Sequence, residues 1–149
     1  MDTDFDGRKF QNMLFALGDN IRETVKKIGI SEYAFSRNIE LLYMPSVVNI
    51  IKICRYGQYS IDDLLQIPED CRNRPEYVCE SIGGRIAWLL ERDRLTKAEA
   101  MRILNINDTS GHMSRWIKNY AMPSFWSIRH LCKLFKVSAD WLIGGEANV

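Results

Sequence analysis

The four cysteines and two histidines are the residues of this chain whose side chains are best suited to metal binding or catalysis. Cys71 and Cys79 have a spacing that matches no common zinc motif, and His112 and His130 are too far from any cysteine pair to suggest a metal. We therefore expect no metal and no cofactor. A reducing cytoplasm favours free thiols for Cys71 and Cys79. A disulfide between these two cysteines is the alternative.

No arrangement of residues typical of an enzyme is present. The sequence contains no glycine-rich phosphate loop and no nucleophile paired with a base at a recognisable spacing. Cys54 and Cys132 lie inside apolar helical patterns and are predicted to be small core residues. We expect a protein without catalytic activity.

Positive charge is concentrated in the second half of the chain. Residues 1–70 contain 8 Lys+Arg and 11 Asp+Glu, a net charge of −3, whereas residues 71–149 contain 12 and 8, a net charge of +4. Cations that neutralise phosphates supply most sequence-independent affinity for DNA. The second half is therefore the better candidate for DNA contact, although the overall charge of +1 gives weak support for tight non-specific binding.

The composition is that of a globular protein, with 46% hydrophobic and 26% charged residues in 149. This length suits one domain or two small ones. There is no apolar run of about 18 residues and no basic start followed by an apolar stretch, so we expect neither a membrane span nor a signal peptide. The predicted location is the cytoplasm.

An internal repeat organises the chain. An offset of 76 aligns the early segments and an offset of 78 aligns the later ones, which places a two-residue insertion at Asp108-Thr109. The aligned pairs include Gly7/Gly83, Ile28/Leu104, Ser36/Ser114, Arg37/Arg115, Pro45/Pro123, Cys54/Cys132, Ser60/Ser138 and Asp62/Asp140. The chain is predicted to contain a duplicated domain, with copies at 1–67 and 81–149 and a linker at 68–80.

Each copy is predicted to form five short helices, giving an all-α fold. Thr96 and Glu99 have the spacing of a capping box, and Asn105 falls where a tight turn favours a left-handed backbone, as does Gly29 in the first copy. The other predicted N-caps are Asn20, Ser31, Ser60 and Ser138, and Ser46 and Ser124 follow prolines that open a helix. Helical apolar spacing predicts packing positions for Trp88, Trp116, Trp126 and Trp141.

The sequence resembles the Cro/CI (lambda-repressor-like) family of helix-turn-helix proteins. The second copy resembles it through "IGGRIAWLLERDRLTKAEAMRIL", "MSRWIKNYAMPS" and "LCKLFKVSADWLIGGE", and the first through "NIRETVKKIGISEYAFSRNIE" followed by "MPS". The resemblance implies two tandem five-helix lambda-repressor-like domains. It also implies a sequence-specific DNA-binding transcriptional regulator, a repressor of phage or bacterial type.

The resemblance also implies which residues face DNA, because helix three of each domain enters the major groove and helix two crosses the backbone. In the second copy these residues are Lys97, Ser110, Gly111, His112, Ser114, Arg115, Lys118 and Asn119. In the first copy they are Glu32, Tyr33, Ser36 and Arg37, with Ile21 at a position that usually holds a polar phosphate-binding residue. The insertion at Asp108-Thr109 lengthens the turn before helix three and departs from the pattern.

Two questions about partners stay open at this stage. The expected partner is double-stranded DNA bound by a homodimer, with Phe15, Leu17 and Tyr33 as surplus apolar residues for a contact between chains or between copies. The first copy could instead serve as a dimerisation or protein-docking module. The alternative function is a protein-interaction factor, such as a phage-encoded inhibitor or anti-repressor, which Glu32 and the near-neutral charge favour.

Overall fold

The computed structural model describes residues 5–17, 20–40, 45–77, 79–106 and 111–144. Within these ranges the chain forms ten α-helices, one short 3-10 helix at Glu69–Cys71 and no strand, so the all-α prediction is confirmed for the described residues. The helices are α1 Gly7–Ala16, α2 Ile21–Ile28, α3 Glu32–Glu40, α4 Val47–Gly57, α5 Ile61–Leu64, α6 Ile82–Arg92, α7 Lys97–Ile103, α8 His112–Ile117, α9 Phe125–Phe135 and α10 Ala139–Leu142. No described helix is long and apolar enough to cross a membrane.

Two compact units divide the chain between Gln66 and Ile67. Helices α1–α5 belong to the first unit and helices α6–α10 to the second. The fourth helix has 11 residues and the fifth has 4 in both units. Helix α8 has 6 residues where α3 has 9, which is the largest difference between paired helices.

Short polar side chains start most of these helices, as the sequence predicted. Asn20 and Ser31 accept hydrogen bonds from main-chain N–H groups three residues on, at the starts of α2 and α3. Thr96 and Glu99 form a complete capping box at the start of α7. The predicted N-caps Ser60 and Ser138 are confirmed, and Ser46 and Ser124, which follow the helix-opening prolines, are N-caps as well.

Left-handed residues recur at matching places in the two units. The predicted left-handed turn is confirmed at Gly29, with φ of 90°, and at Asn105, with φ of 57°. Gln58 and Lys136 end α4 and α9 with φ values of 57° and 53°. Neither residue is glycine or asparagine, so the repeat preserves the backbone conformation where it does not preserve the residue type.

Each unit has its own apolar core. In the first unit α1 packs against α3, and α2 packs against α3 and α4. The buried side chains there include Phe10, Leu14, Val25, Phe35, Ile50, Ile51 and Leu64. In the second unit α8 packs against α6 and α7, and its core includes Ile86, Leu89, Met101, Met113, Ile128 and Leu131.

The stretch predicted as a linker is part of the second unit. The helical turn at Glu69–Cys71 packs against α9, and Cys71 is buried. The main-chain oxygen of Asn73 accepts a hydrogen bond from Ser138 N at 2.8 Å, and the Asn73 amide donates to Lys136 O at 2.9 Å. These contacts tie the stretch to the folded unit, because they satisfy backbone groups on both sides.

All four cysteines are present as thiols. Cys54 and Cys132 are buried, which confirms their predicted place in the two cores. Burial, together with the neighbouring Asp70 carboxylate, raises the pKa of the Cys71 thiol. A hydrogen bond from the Ser81 main chain lowers the pKa of the Cys79 thiol, which lies just before α6.

Candidate nucleic-acid interface

The start of α7 lies against the middle of α8. Lys97 is the first residue of α7 and is exposed, and its Nζ donates a hydrogen bond to Ser114 Oγ at 3.2 Å. Two of the residues expected to face DNA are therefore brought into contact. An ammonium group held in this way keeps two further N–H donors for a phosphate.

Two further cations project from the end of α8. Arg115 lies in its last turn and Lys118 ends it, and both side chains are exposed. Among the described residues, no carboxylate forms an ion pair with Lys97, Arg115 or Lys118. Lys118 Nζ lies 6.0 Å from the centre of the Tyr120 ring. No described carboxylate therefore neutralises the positive charge of this surface, which suits an anionic ligand.

The entry to α8 differs from that of α3. Gly111 precedes the helix with φ of 67° and no side-chain cap, whereas Ser31 caps α3. His112 is half-buried, and its ring centre is 6.2 Å from that of Trp116. Ser110 and the insertion at Asp108-Thr109 lie outside the described residues.

Asn119 has a structural role that the sequence did not predict. It adopts a left-handed conformation with φ of 60°, and its Oδ1 accepts a hydrogen bond from Gly83 N at 2.9 Å. This bond satisfies one of the first N–H groups of α6, which have no partner within the helix. The side chain was expected at DNA but is already used within the unit.

The corresponding surface of the first unit carries a different chemistry. Ile21 occupies the position of Lys97 and is 45% exposed. Glu32, the first residue of α3, forms an ion pair with Arg22 at 3.4 Å. Together with Asn20 and Ser36 these residues line one open depression. Arg22, the one cation among the described residues that line the depression, is thus partly neutralised, and an acidic side chain takes the place of a phosphate-binding group.

Arg37 is the counterpart of Arg115, but it is half-buried. Its guanidinium carbon lies 5.0 Å from the centre of the Tyr33 ring, and Tyr33 is 63% exposed. A cation–π contact of this kind holds the guanidinium on its own helix. Arg37 is therefore less accessible than Arg115.

The tryptophans fall into two groups. Trp116 is buried, and Trp88 and Trp141 are half-buried with ring centres 6.1 Å apart. Trp126 is 36% exposed, and its ring centre is 4.1 Å from that of His130. Trp126 also lines a cavity of about 360 Å³ together with Arg115, so it borders the candidate surface. Helical spacing predicted an inward position for Trp126 as for the other tryptophans, and it does not reveal that this side chain is partly exposed.

Comparison of the chain with protein-family models, with curated proteins and with solved structures finds no match.

Proposed function

We propose that the second unit binds duplex DNA through α7 and α8, as the helix-turn-helix domain of a transcriptional repressor. The observation that carries the proposal is the Lys97–Ser114 contact, which joins the start of α7 to α8 beside Arg115. In a helix-turn-helix, the first helix touches the phosphate backbone while the second presents side chains to the major groove. Lys97 is placed for the first task and Arg115 for the second, since a guanidinium can donate two hydrogen bonds to guanine.

The distribution of charge supports the same assignment. The surface of α7 and α8 carries three exposed cations, Lys97, Arg115 and Lys118. The equivalent surface of the first unit carries Ile21, an Arg22 that is paired with Glu32, and the half-buried Arg37. Cations that release counterions from DNA contribute most of the sequence-independent affinity. The proposal therefore assigns the principal DNA contact to the second unit.

A salt titration with duplex DNA tests the proposal. We expect the full-length protein to bind a labelled duplex of random sequence, and the logarithm of its affinity to fall linearly with the logarithm of salt concentration. Each phosphate contact contributes about 0.9 to that slope. Fluorescence anisotropy at four or more salt concentrations measures it. The absence of binding even at about 50 mM salt would reject DNA as the ligand.

A second candidate function concerns the first unit. Ile21 is exposed beside the Arg22–Glu32 pair, and Tyr33 is exposed on the same helix as Glu32. Such a mixture of apolar and polar groups suits a protein partner better than a phosphate backbone. If the proposed DNA binding fails, a protein-interaction factor built on a helix-turn-helix fold becomes the leading function. A pull-down that depends on Tyr33 would support that outcome.

We further propose that the chain acts as a homodimer. Phe15 is 66% exposed on α1, and burying an aromatic side chain of this size would favour the association of two chains. Two identical chains would also match a palindromic DNA site.

We expect light scattering at micromolar concentration to give the mass of two chains, and Phe15→Ser to shift that mass towards one chain. Ile103→Ser, at a position that is 57% exposed in the second unit, is the matched control. A single-chain mass for the wild type, with and without DNA, would contradict the proposal.

A further inference from the structure

A cluster of cations lies on the first unit, on α2 and α4. Lys27, Lys52 and Arg55 line one depression of about 250 Å³ together with Ile28 and Tyr56. Lys27 and Arg55 are exposed, and the Tyr56 ring is 40% exposed. We name these residues the α2–α4 patch. The patch is separate from the depression at the α2–α3 surface, which is lined by other residues, among them Ile21, Glu32 and Ser36.

The α2–α4 patch is positively charged, although the part of the chain that contains it has a net negative charge. Residues 1–70 carry a net charge of −3, yet three of their eight cations line this one depression. No carboxylate among the described residues forms an ion pair with Lys27 or Lys52. Charges of one sign gathered in a concave surface attract a ligand of the opposite sign.

Helix capping explains the position of Lys52 but not of the other two cations. Lys52 Nζ donates a hydrogen bond to Gly29 O at 3.0 Å, just beyond the end of α2, where a cation is favourable. In the second unit, Ile103 and His130 take the places of Lys27 and Lys52, and α7 and α9 still form. The equivalent helices of the second unit therefore form without a lysine at either position.

We propose that the α2–α4 patch binds phosphate groups of duplex DNA, as a contact of the first unit that does not use α3. Lysine ammonium groups are compact point charges that suit phosphates. Tyr56 adds a hydroxyl donor. Among the described residues that line the depression, Ile28 is buried and Tyr56 is the one exposed ring, so a folded protein partner would find few apolar anchors there.

This inference rests on duplex DNA being a ligand of the chain, and it extends the proposed function to the first unit. The test compares the full-length variant Lys27→Gln/Arg55→Gln with the control Arg8→Gln/Lys9→Gln on α1. Both remove two cations from the same unit. Among the described residues, the ion pair that the control disrupts is the exposed Lys9–Asp63 pair at 3.8 Å, which contributes little to stability. Lys52 is left intact because it caps α2.

The readout is the salt dependence of binding to a labelled random 20-base-pair duplex. We expect the patch variant to lower the log–log slope by about 1.8, two contacts at about 0.9 each, and the control to leave it unchanged. Competition by a poly-glutamate peptide is measured in parallel. The proposal is overturned if the patch variant behaves like the control, or if poly-glutamate binds the wild type more tightly than the duplex does.

The two levels of failure are distinguishable. If wild-type protein shows no salt-dependent binding to DNA, both the proposed function and this inference fail. If the wild type binds and Lys97→Ala/Arg115→Ala weakens it while the patch variant matches its control, only the inference fails. A circular-dichroism melt of each variant confirms that it is folded.

Discussion

Reversing the charge of Arg115 should weaken binding to duplex DNA by about 10- to 100-fold, since a bidentate contact to a base contributes about 1–3 kcal/mol. The side chain is exposed on α8 and forms no ion pair with a described carboxylate, so Arg115→Glu removes an accessible donor. It also places a negative charge next to phosphates. Lys97→Glu should act in the same direction, with a smaller effect on base preference, because a phosphate contact carries no direct sequence information.

The matched control is Arg37→Glu, at the equivalent position of the first unit. Arg37 is half-buried and lies over the Tyr33 ring, and the depression on α2 and α3 is lined by Ile21 and Glu32. We expect this change to reduce affinity less than Arg115→Glu does. Anisotropy titrations of the three variants at several salt concentrations decide the matter. An equal or larger loss from Arg37→Glu would mean that the first unit makes the principal contact.

The features that the sequence predicted correctly are local ones. Thr96 and Glu99 are three residues apart, so the capping box depends only on the residues of its own turn. The left-handed turns at Gly29 and Asn105 likewise follow from which side chains tolerate a positive φ. Buried Cys54 and Cys132 follow from helical periodicity.

The features that were missed depend on residues distant in sequence. The bond from Gly83 N to Asn119 joins positions 36 residues apart, and nothing in either neighbourhood predicts it. The Arg22–Glu32 pair bridges two helices whose relative placement the sequence does not specify. Prolines and charges made 68–80 resemble a linker, although apolar Cys71 was a signal that part of it is buried.

The α2–α4 patch was missed for a related reason. Lys27, Lys52 and Arg55 are separated along the chain by up to 28 positions, and only packing of α2 near α4 brings them to one depression. Counting charge over residues 1–70 gave a negative value, which hid a local concentration of the opposite sign. A net charge describes a whole domain, whereas a ligand responds to the charges of one surface.

Replacing Gly83 with alanine should destabilise the second unit by about 1–3 kcal/mol, the usual effect of an extra methyl group in a fully packed site. Gly83 is buried on α6, and a Cβ added there would overlap the main-chain carbonyl oxygens of Trp116 and Ile117 at the end of α8. Backbone atoms cannot rotate away as a side chain can. Relief therefore requires α6 and α8 to move apart, which strains the hydrogen bond from Gly83 N to Asn119.

Gly84→Ala is the control, because it adds the same methyl group to the same helix. A Cβ at Gly84 would meet the Cys79 side chain, which can turn aside, and alanine stabilises a helix over glycine by about 0.5–1 kcal/mol. We expect Gly83→Ala to lower the melting temperature by at least 4 °C, since about 1 kcal/mol corresponds to about 4–8 °C in a unit of this size. Gly84→Ala should change it by less. Thermal melts followed by circular dichroism measure both variants. The affinity of Gly83→Ala for DNA should fall as well, because α8 carries Arg115. Equal melting temperatures for the two variants would show that α6 and α8 do not pack as closely as Gly83 allows.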